Sequence, residues 1–213
     1  MRAVIFANGI FEKSNFSLLS LHEDDLLIAA DGGAEHFVEL GLTPSILIGD
    51  MDSISPSLLN ILKDQGSQSI VYPQDKDQTD LELALNFAVG AGAREILLLG
   101  VIGGRLDQTL ANLMLLTRED WQGTSMVILD PPDTAYLMRD HDNISLDGKP
   151  GDIVSLIPLT QVVTGVSTQG LRWPLEDAEL TLGNTISVSN EMVSLIAQIE
   201  IGIGKLLLIH RDI

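Results

Sequence analysis

The chain has 213 residues, 45% of them hydrophobic and only 4% aromatic, enough for one large domain or two small ones with a core of Leu, Ile, Val and Ala. Its 30 acidic residues against 12 basic give a formal net charge of -18, which argues against holding nucleic acid by its phosphates or lying on an anionic membrane surface. The absence of cysteine excludes disulfides, thiolate metal sites and cysteine nucleophiles; no apolar run reaches the ~18 residues that span a bilayer and no secretory leader is visible, so a soluble cytoplasmic protein without membrane or nucleic-acid partners is expected.

Taken in chain order, short apolar runs alternate with helical patterns. Residues 3–7 read as a strand ending at Asn8-Gly9, and residues 26–30 as a second ending at Asp31. A short helix over residues 34–40 stops at Gly41. Residues 46–48 form a third strand, ending at Gly49-Asp50. Ser55 and Pro56 then supply an N-cap and an N1 proline for a helix over residues 56–64. A fourth strand, residues 68–72, ends near Pro73. Thr79 and Glu82 have the spacing of a capping box, and Leu81, Leu85 and Ala88 give the stripe of the helix it opens. Residues 95–100 are a fifth strand, running into Gly103-Gly104. Leu106, Leu110, Leu113 and Met114 then mark another helix, with Gln108 and Asn112 on a different face. Residues 126–129 are a sixth strand. Continuous apolar strands separated by helices imply a mostly parallel sheet buried on both faces.

From about Thr134 the pattern changes to alternation. Leu180 and Leu182, Ile186 and Val188, and Ile199, Ile201 and Ile203 interleave with polar or glycine positions. Such alternation predicts antiparallel strands with one buried face, in a small sandwich or barrel. The fold class is therefore α/β followed by a smaller antiparallel β-sandwich. The boundary falls between Asp130 and Gly151, and we divide the chain into residues 1–135 and 136–213.

Chemistry concentrates at the strand ends. Asp31-Gly32-Gly33 joins a strand to a helix, either as a tight turn with Asp31 as N-cap or as a backbone cradle for phosphate or a nucleotide. Gly49-Asp50-Met51-Asp52-Ser53 sets two carboxylates two apart on a loop, a pattern that suits a hard cation such as Mg²⁺. Asp75, Asp77 and Asp80 follow, with Asp80 at a helix start, where the dipole alone would favour it. Lys76 among them either meets a phosphate or balances its neighbours. Gly103-Gly104-Arg105-Leu106-Asp107-Gln108 is not a P-loop; Arg105 and Asp107 either pair with each other or divide between phosphate and metal. The four histidines, His22, His36, His141 and His210, are too scattered for a local ligand pair. In an open α/β sheet the carboxyl ends of the strands line one crevice. Unit charges about 4 Å apart interact by roughly 4 kcal/mol at an effective dielectric of about 20. Converging aspartates would thus repel a polyphosphate unless cations lay between.

The motifs ADGGAEHF, LIGDMDSI, DKDQTDLELAL, GVIGGRLDQTLANL, GLRWPL and SVSNEM, in this order between residues 29 and 192, resemble those of the thiamine pyrophosphokinase family. The resemblance implies an ATP-binding α/β domain, a β-sandwich that helps bind thiamine, and pyrophosphoryl transfer from ATP to the thiamine hydroxyl with release of AMP. It implies Mg²⁺ as cofactor and a homodimer with active sites between subunits. Asp50, Asp52 and Asp80 match the family's magnesium carboxylates. Arg105 and Asp107 match its signature around the transferring phosphates. ATP contacts are expected from Asp31, Gly32, Gly33, Lys76, Asp77, Arg105, Gln108 and Asn112. Trp173 matches the tryptophan that packs on thiamine, and Ser189 and Asn190 lie in the segment near the vitamin. A tryptophan face independently suits a cationic aromatic ligand, although a tryptophan before Pro174 can also simply cover a sheet edge. Gln169 is expected at the thiamine site too, where relatives often carry a small hydroxyl residue. The proton acceptor is expected to be Asp80 or Asp107. A pyrophosphokinase for a pterin alcohol, and a non-catalytic sensor of magnesium-nucleotide or thiamine phosphate, are the alternatives.

Overall fold

A computed structural model describes residues 1–13 and 20–213. The chain divides into two units, Met1–Asp130 and Pro131–Ile213. The division lies ahead of residue 135, because a strand begins at Asp133 and a cut after 135 would split it.

The first unit carries strands β1 (Arg2–Phe6), β2 (Leu26–Ala30), β3 (Ile46–Gly49), β4 (Gln68–Val71), β5 (Glu95–Leu99) and β6 (Ser125–Asp130). They lie in the order β6-β5-β1-β2-β3-β4, and every pairing is parallel. Helices α1 (Gly33–Glu39), α2 (Pro56–Asp64), α3 (Asp80–Gly90) and α4 (Leu106–Leu115) follow β2, β3, β4 and β5. Alternate strand residues face opposite sides of a sheet. Val4, Phe6, Ala29, Leu47 and Leu97 form one core with Ala34, Phe37 and Leu62 of α1 and α2. Residues of the other parity, Ile5, Ile28 and Ile48, are equally buried, and α3 packs across β1, β2 and β3. Burial on both faces explains why these strands read as unbroken apolar runs.

Local chemistry sets the helix starts. Ser55 Oγ accepts from Leu58 N at 3.3 Å, and Pro56 needs no partner for a missing N–H. Thr79 Oγ1 accepts from Glu82 N at 3.2 Å. The Glu82 carboxylate is engaged by Gln78 Nε2 at 2.7 Å and by Arg118, so the capping box closes on one side only. Helix α4 differs from the others: none of its residues is buried, and Leu106, Leu110 and Met114, on one stripe, are each half exposed or more.

The second unit is a sandwich. One sheet has the order β12-β9-β14-β7 and the other β11-β10-β13-β8. Their strands are β7 (Asp133–Met138), β8 (Asn143–Asp147), β9 (Ile153–Pro158), β10 (Val162–Gln169), β11 (Ala178–Thr181), β12 (Asn190–Glu191), β13 (Ile196–Glu200) and β14 (Leu206–Arg211). All their pairings are antiparallel. Val154, Leu156, Val163, Val166, Ala197, Ile199 and Leu208 interdigitate in the core between the sheets. The alternation at residues 186–189 does not form a strand. Ile186 is exposed, Ser187 is buried with its hydroxyl donating to Leu156 O at 2.7 Å, and Ser189 turns the chain at φ 61°. Among the described residues no helix is long and apolar enough to cross a membrane.

Candidate active site at the strand switch point

The chain starts in the middle of the first sheet. It winds outward through β2, β3 and β4, then returns to the other side of β1 as β5 and β6. Beyond the carboxyl ends of β1 and β5 the connections therefore diverge, which opens a crevice in such sheets. Here it has a volume of about 560 Å³ and is lined by Asn8 and Gly9 after β1, Asp31 after β2, and Gly100 and Val101 after β5. Gly9 N donates to Gly100 O at 2.6 Å, and a Cβ on Gly9 would sit 2.3 Å from that oxygen. No larger residue fits there, so the glycine sets the floor of the crevice.

Asp31 is 7% exposed, has φ 46°, and its Oδ1 has no hydrogen-bond partner. It is not an N-cap: that position belongs to Gly32, in ordinary helical geometry and without a side-chain cap bond. The two glycines serve close approach, since a Cβ would lie 2.4 Å from the Asn8 side chain at Gly32 and 2.0 Å from Phe6 O at Gly33. A buried carboxylate oxygen without a partner on a strained backbone marks a functional position more than a structural one.

The other carboxylates gather on it. One oxygen from each of Asp31, Asp50 and Asp52 lies within 4.8 Å of the other two, a spacing that a metal ion would bridge. Asp52 N donates to Asp50 Oδ1 at 3.1 Å. That bond, aided by the Lys76 charge and opposed by burial, holds the Asp50 pKa below the ordinary carboxylate range. Asp52 is steadied by Ser53 Oγ at 3.1 Å and Gln74 Nε2 at 2.9 Å. Asp80, the first residue of α3, faces the same crevice. Burial pushes its pKa up, more than the neighbouring Lys76 pulls it down. Lys76 Nζ stands 3.0 Å from Asp80 Oδ1 and 3.5 Å from Asp50 Oδ2. Both contacts are ion pairs. Burial works against the Lys76 ammonium, but the two aspartates outweigh it and raise its pKa.

Arg105, Gln108 and Asn112 line the side formed by α4. Asn112 Nδ2 donates to Val101 O at 2.8 Å, which ties the helix to the end of β5. Arg105 and Asp107 form a paired fork, with bonds of 3.1 and 2.6 Å, and both are largely exposed. That pairing raises the arginine pKa and lowers that of the aspartate. Asp107 points to its arginine and is not among the residues lining the crevice, nor is the exposed Asp77. Asn8 and Gln74 are site residues without a sequence signal of their own. Their only cue is position, after a strand end or beside an aspartate cluster.

In the second unit, Trp173 is 55% exposed. Asn190 holds its backbone from both sides: Trp173 N donates to Asn190 Oδ1 at 3.1 Å, and Asn190 Nδ2 donates to Trp173 O at 2.7 Å. Asn190 Oδ1 also accepts from Glu191 N at 2.9 Å. The Asn190 amide is therefore committed to fixing the tryptophan. Arg172 stacks on the Trp173 ring at 5.0 Å and pairs with Glu191 at 2.8 Å. Ser189 N donates to Ser155 Oγ at 3.0 Å, and Gln169 is exposed at the end of β10.

Comparison with known proteins gives a consistent picture. Residues 18–128 match the family model described as the thiamin pyrophosphokinase catalytic domain. Residues 141–206 match that of the thiamin pyrophosphokinase vitamin B1 binding domain. Thiamine pyrophosphokinase of Bacillus subtilis is 28% identical over 179 residues, covering 80% of each chain. Thiamine pyrophosphokinase 2 of Arabidopsis thaliana is 29% identical over 199 residues, 82% of this chain and 74% of the relative. Among solved structures, the Bacillus subtilis thiamine pyrophosphokinase superposes with a TM-score of 0.87 at 24% identity, covering both chains fully. The Candida albicans thiamin pyrophosphokinase has the same fold, with a TM-score of 0.81 at 18% identity over 99% of this chain and 89% of that one.

Proposed function

The chain belongs to the thiamine pyrophosphokinase family, and from that premise we propose that it transfers the pyrophosphoryl group of ATP to the hydroxyl of thiamine, giving thiamine diphosphate and AMP. The observation that carries this reading is the meeting of Asp31, Asp50 and Asp52 within 4.8 Å at the crevice that Asp31 and Asp52 line, with a buried Asp31 oxygen that no protein group satisfies. An all-oxygen, anionic donor set beside a polyphosphate fits Mg²⁺. Asp31, Asp50 and Asp52 would hold that ion, which leaves Asp80, the further carboxylate facing the crevice, free of it. When bound, it neutralises phosphate charge and polarises the transferring group.

The chain's own residues do the rest. Asn8, Gly9 and the Gly103-Gly104 turn offer room and backbone groups for the nucleotide along the crevice wall. Arg105, on the open rim, can leave Asp107 for the phosphates, since an exposed pair is held weakly. The thiamine oxygen forms its bond to the β-phosphorus as the bond from that phosphorus to the bridging α–β oxygen breaks, and AMP carries the electron pair away. Of the two aspartates expected to take the hydroxyl proton, Asp80 lines the crevice and Asp107 does not, so the proton goes to Asp80.

Trp173 receives the cationic aromatic vitamin on its ring, and Asn190 sets the angle of that ring. The homodimer belongs to the same reading, supported by the apolar stripe Leu106, Leu110 and Met114, which this chain leaves uncovered. AMP formation measured with thiamine, with a pterin alcohol and with no acceptor tests the assignment. Product with thiamine alone is the expected result. Turnover with the pterin alcohol only, or tight nucleotide binding with no AMP from any acceptor, would replace it.

A further inference from the structure

The crevice contains a cation of the chain's own. The Lys76 ammonium lies 3.5 Å from Asp50 and 3.0 Å from Asp80, and its side chain is only 14% exposed. It bridges two carboxylates that come from different strand connections, Asp50 after β3 and Asp80 at the start of α3. Without it those carboxylates, with Asp31 and Asp52 beside them, would repel one another. The lysine stem is long and flexible, and its own segment leaves β4 as a loop before α3 begins. The ammonium can therefore leave the pair without disturbing the sheet.

We propose that Lys76 is a resident counter-ion for the metal site: it holds Asp50 and Asp80 in place until a divalent cation arrives with a nucleotide polyphosphate, and then exchanges the carboxylates for phosphate oxygens. This rests on the metal reading above and deepens it. A bare divalent ion must enter against the ammonium, with no anion to receive it. An ion carried on a polyphosphate brings the partner that Lys76 needs. The chain thus prefers the metal–nucleotide pair over the free metal, and the crevice is not filled by free cations that would leave no opening for substrate.

The test is Mn²⁺ binding, followed by electron paramagnetic resonance at fixed pH and ionic strength, with and without a non-hydrolysable ATP analogue. Wild type, Lys76→Met and Lys76→Arg are compared, with far-ultraviolet circular dichroism to verify the fold. Lys76→Met is expected to raise nucleotide-free Mn²⁺ affinity by about ten-fold or more and to shrink the gain that the analogue confers. Lys76→Arg keeps the charge and is expected to keep the weak nucleotide-free binding. Equal or lower nucleotide-free affinity in Lys76→Met overturns the inference alone. Mn²⁺ that binds none of the forms, even with the analogue, overturns the metal reading and the inference together.

Discussion

Two acidic clusters in this chain have nearly the same outline and opposite meanings. In the first unit, Asp31, Asp50 and Asp52 bring ligand atoms within 4.8 Å of one another; in the second, Asp152, His210 and Asp212 do the same. Spacing alone cannot tell them apart. Hydrogen-bond satisfaction can. Asp152 accepts from Lys149 N at 2.8 Å and from Ile213 N at 3.2 Å, and stands 3.4 Å from His210 Nε2. Its charge is used up in pinning a turn and the end of the chain. Asp31, also buried, leaves Oδ1 without a hydrogen-bond partner. A carboxylate that the fold has satisfied is structural, and one that the fold has buried and left waiting is kept for a ligand.

The largest expected effect comes from the waiting cluster. Asp50→Asn should lower AMP formation by about 100-fold or more, while thermal melting stays close to wild type, because Asp50 is held by one backbone N–H and the Lys76 ammonium. The same loss is expected for Asp80→Asn. An active Asp50→Asn protein would break the comparison at its functional end.

Next comes the satisfied cluster. Asp152→Asn should cost about 2 kcal/mol of stability at neutral pH, the range for hydrogen bonds to a charged group, and should leave Mn²⁺ affinity untouched. The pH dependence has a definite sign. Burial opposes the Asp152 charge, but the Lys149 and Ile213 N–H groups and His210 outweigh it, so the folded pKa lies below the unfolded one. Its stabilisation is full above the unfolded pKa of about 3.9 and is lost as pH falls through the folded value. The difference between wild type and Asp152→Asn should therefore close in acid. Urea melts at neutral pH and near pH 3 measure both parts.

A smaller effect separates the two faces of the Trp173 loop. Asn190→Ala frees the backbone that the amide holds, and should raise the KM for thiamine about ten-fold, which is about 1.4 kcal/mol, with little change in the KM for ATP. Trp173→Ala should do the same, and the double variant should be no worse than either, because Asn190 acts through the ring. Additive losses would mean that Asn190 meets the vitamin itself.

How much of this is legible in the sequence follows from the range of each interaction. The parallel sheet shows as apolar runs because both its faces are buried, and the aspartate clusters show because each follows a strand end. The first strand end, Asn8-Gly9, carries no carboxylate and so gives no chemical signal, although the switch point lies there. Asp107 has the spacing of a site residue, but its nearest cation is two residues away and captures it. The period of α4 is plain from Leu106, Leu110 and Met114, yet a period says only that residues share a face and not what covers that face. Asp152 and His210 are 58 positions apart, and no local pattern joins them. The alternation at Ile186 and Val188 misleads because Ser187, not its apolar neighbours, turns inward, to the Leu156 carbonyl.

The smallest effect is also the one that cuts the comparison most finely. Asp31→Asn replaces a buried carboxylate that has no hydrogen bond on Oδ1 and two carboxylates for neighbours. Like-charge crowding of this kind destabilises the fold. Asparagine tolerates the φ of 46° at this position as well as aspartate does. The variant should therefore gain about 1 kcal/mol, a rise of about 3 °C in melting temperature for a chain of this size, while losing Mn²⁺ affinity in the presence of nucleotide. The identical substitution at Asp152 moves stability the other way and binding not at all. Opposite signs from one chemical change at two buried aspartates are what a satisfied and a waiting carboxylate require; a lower melting temperature for Asp31→Asn would make Asp31 a structural residue like its counterpart.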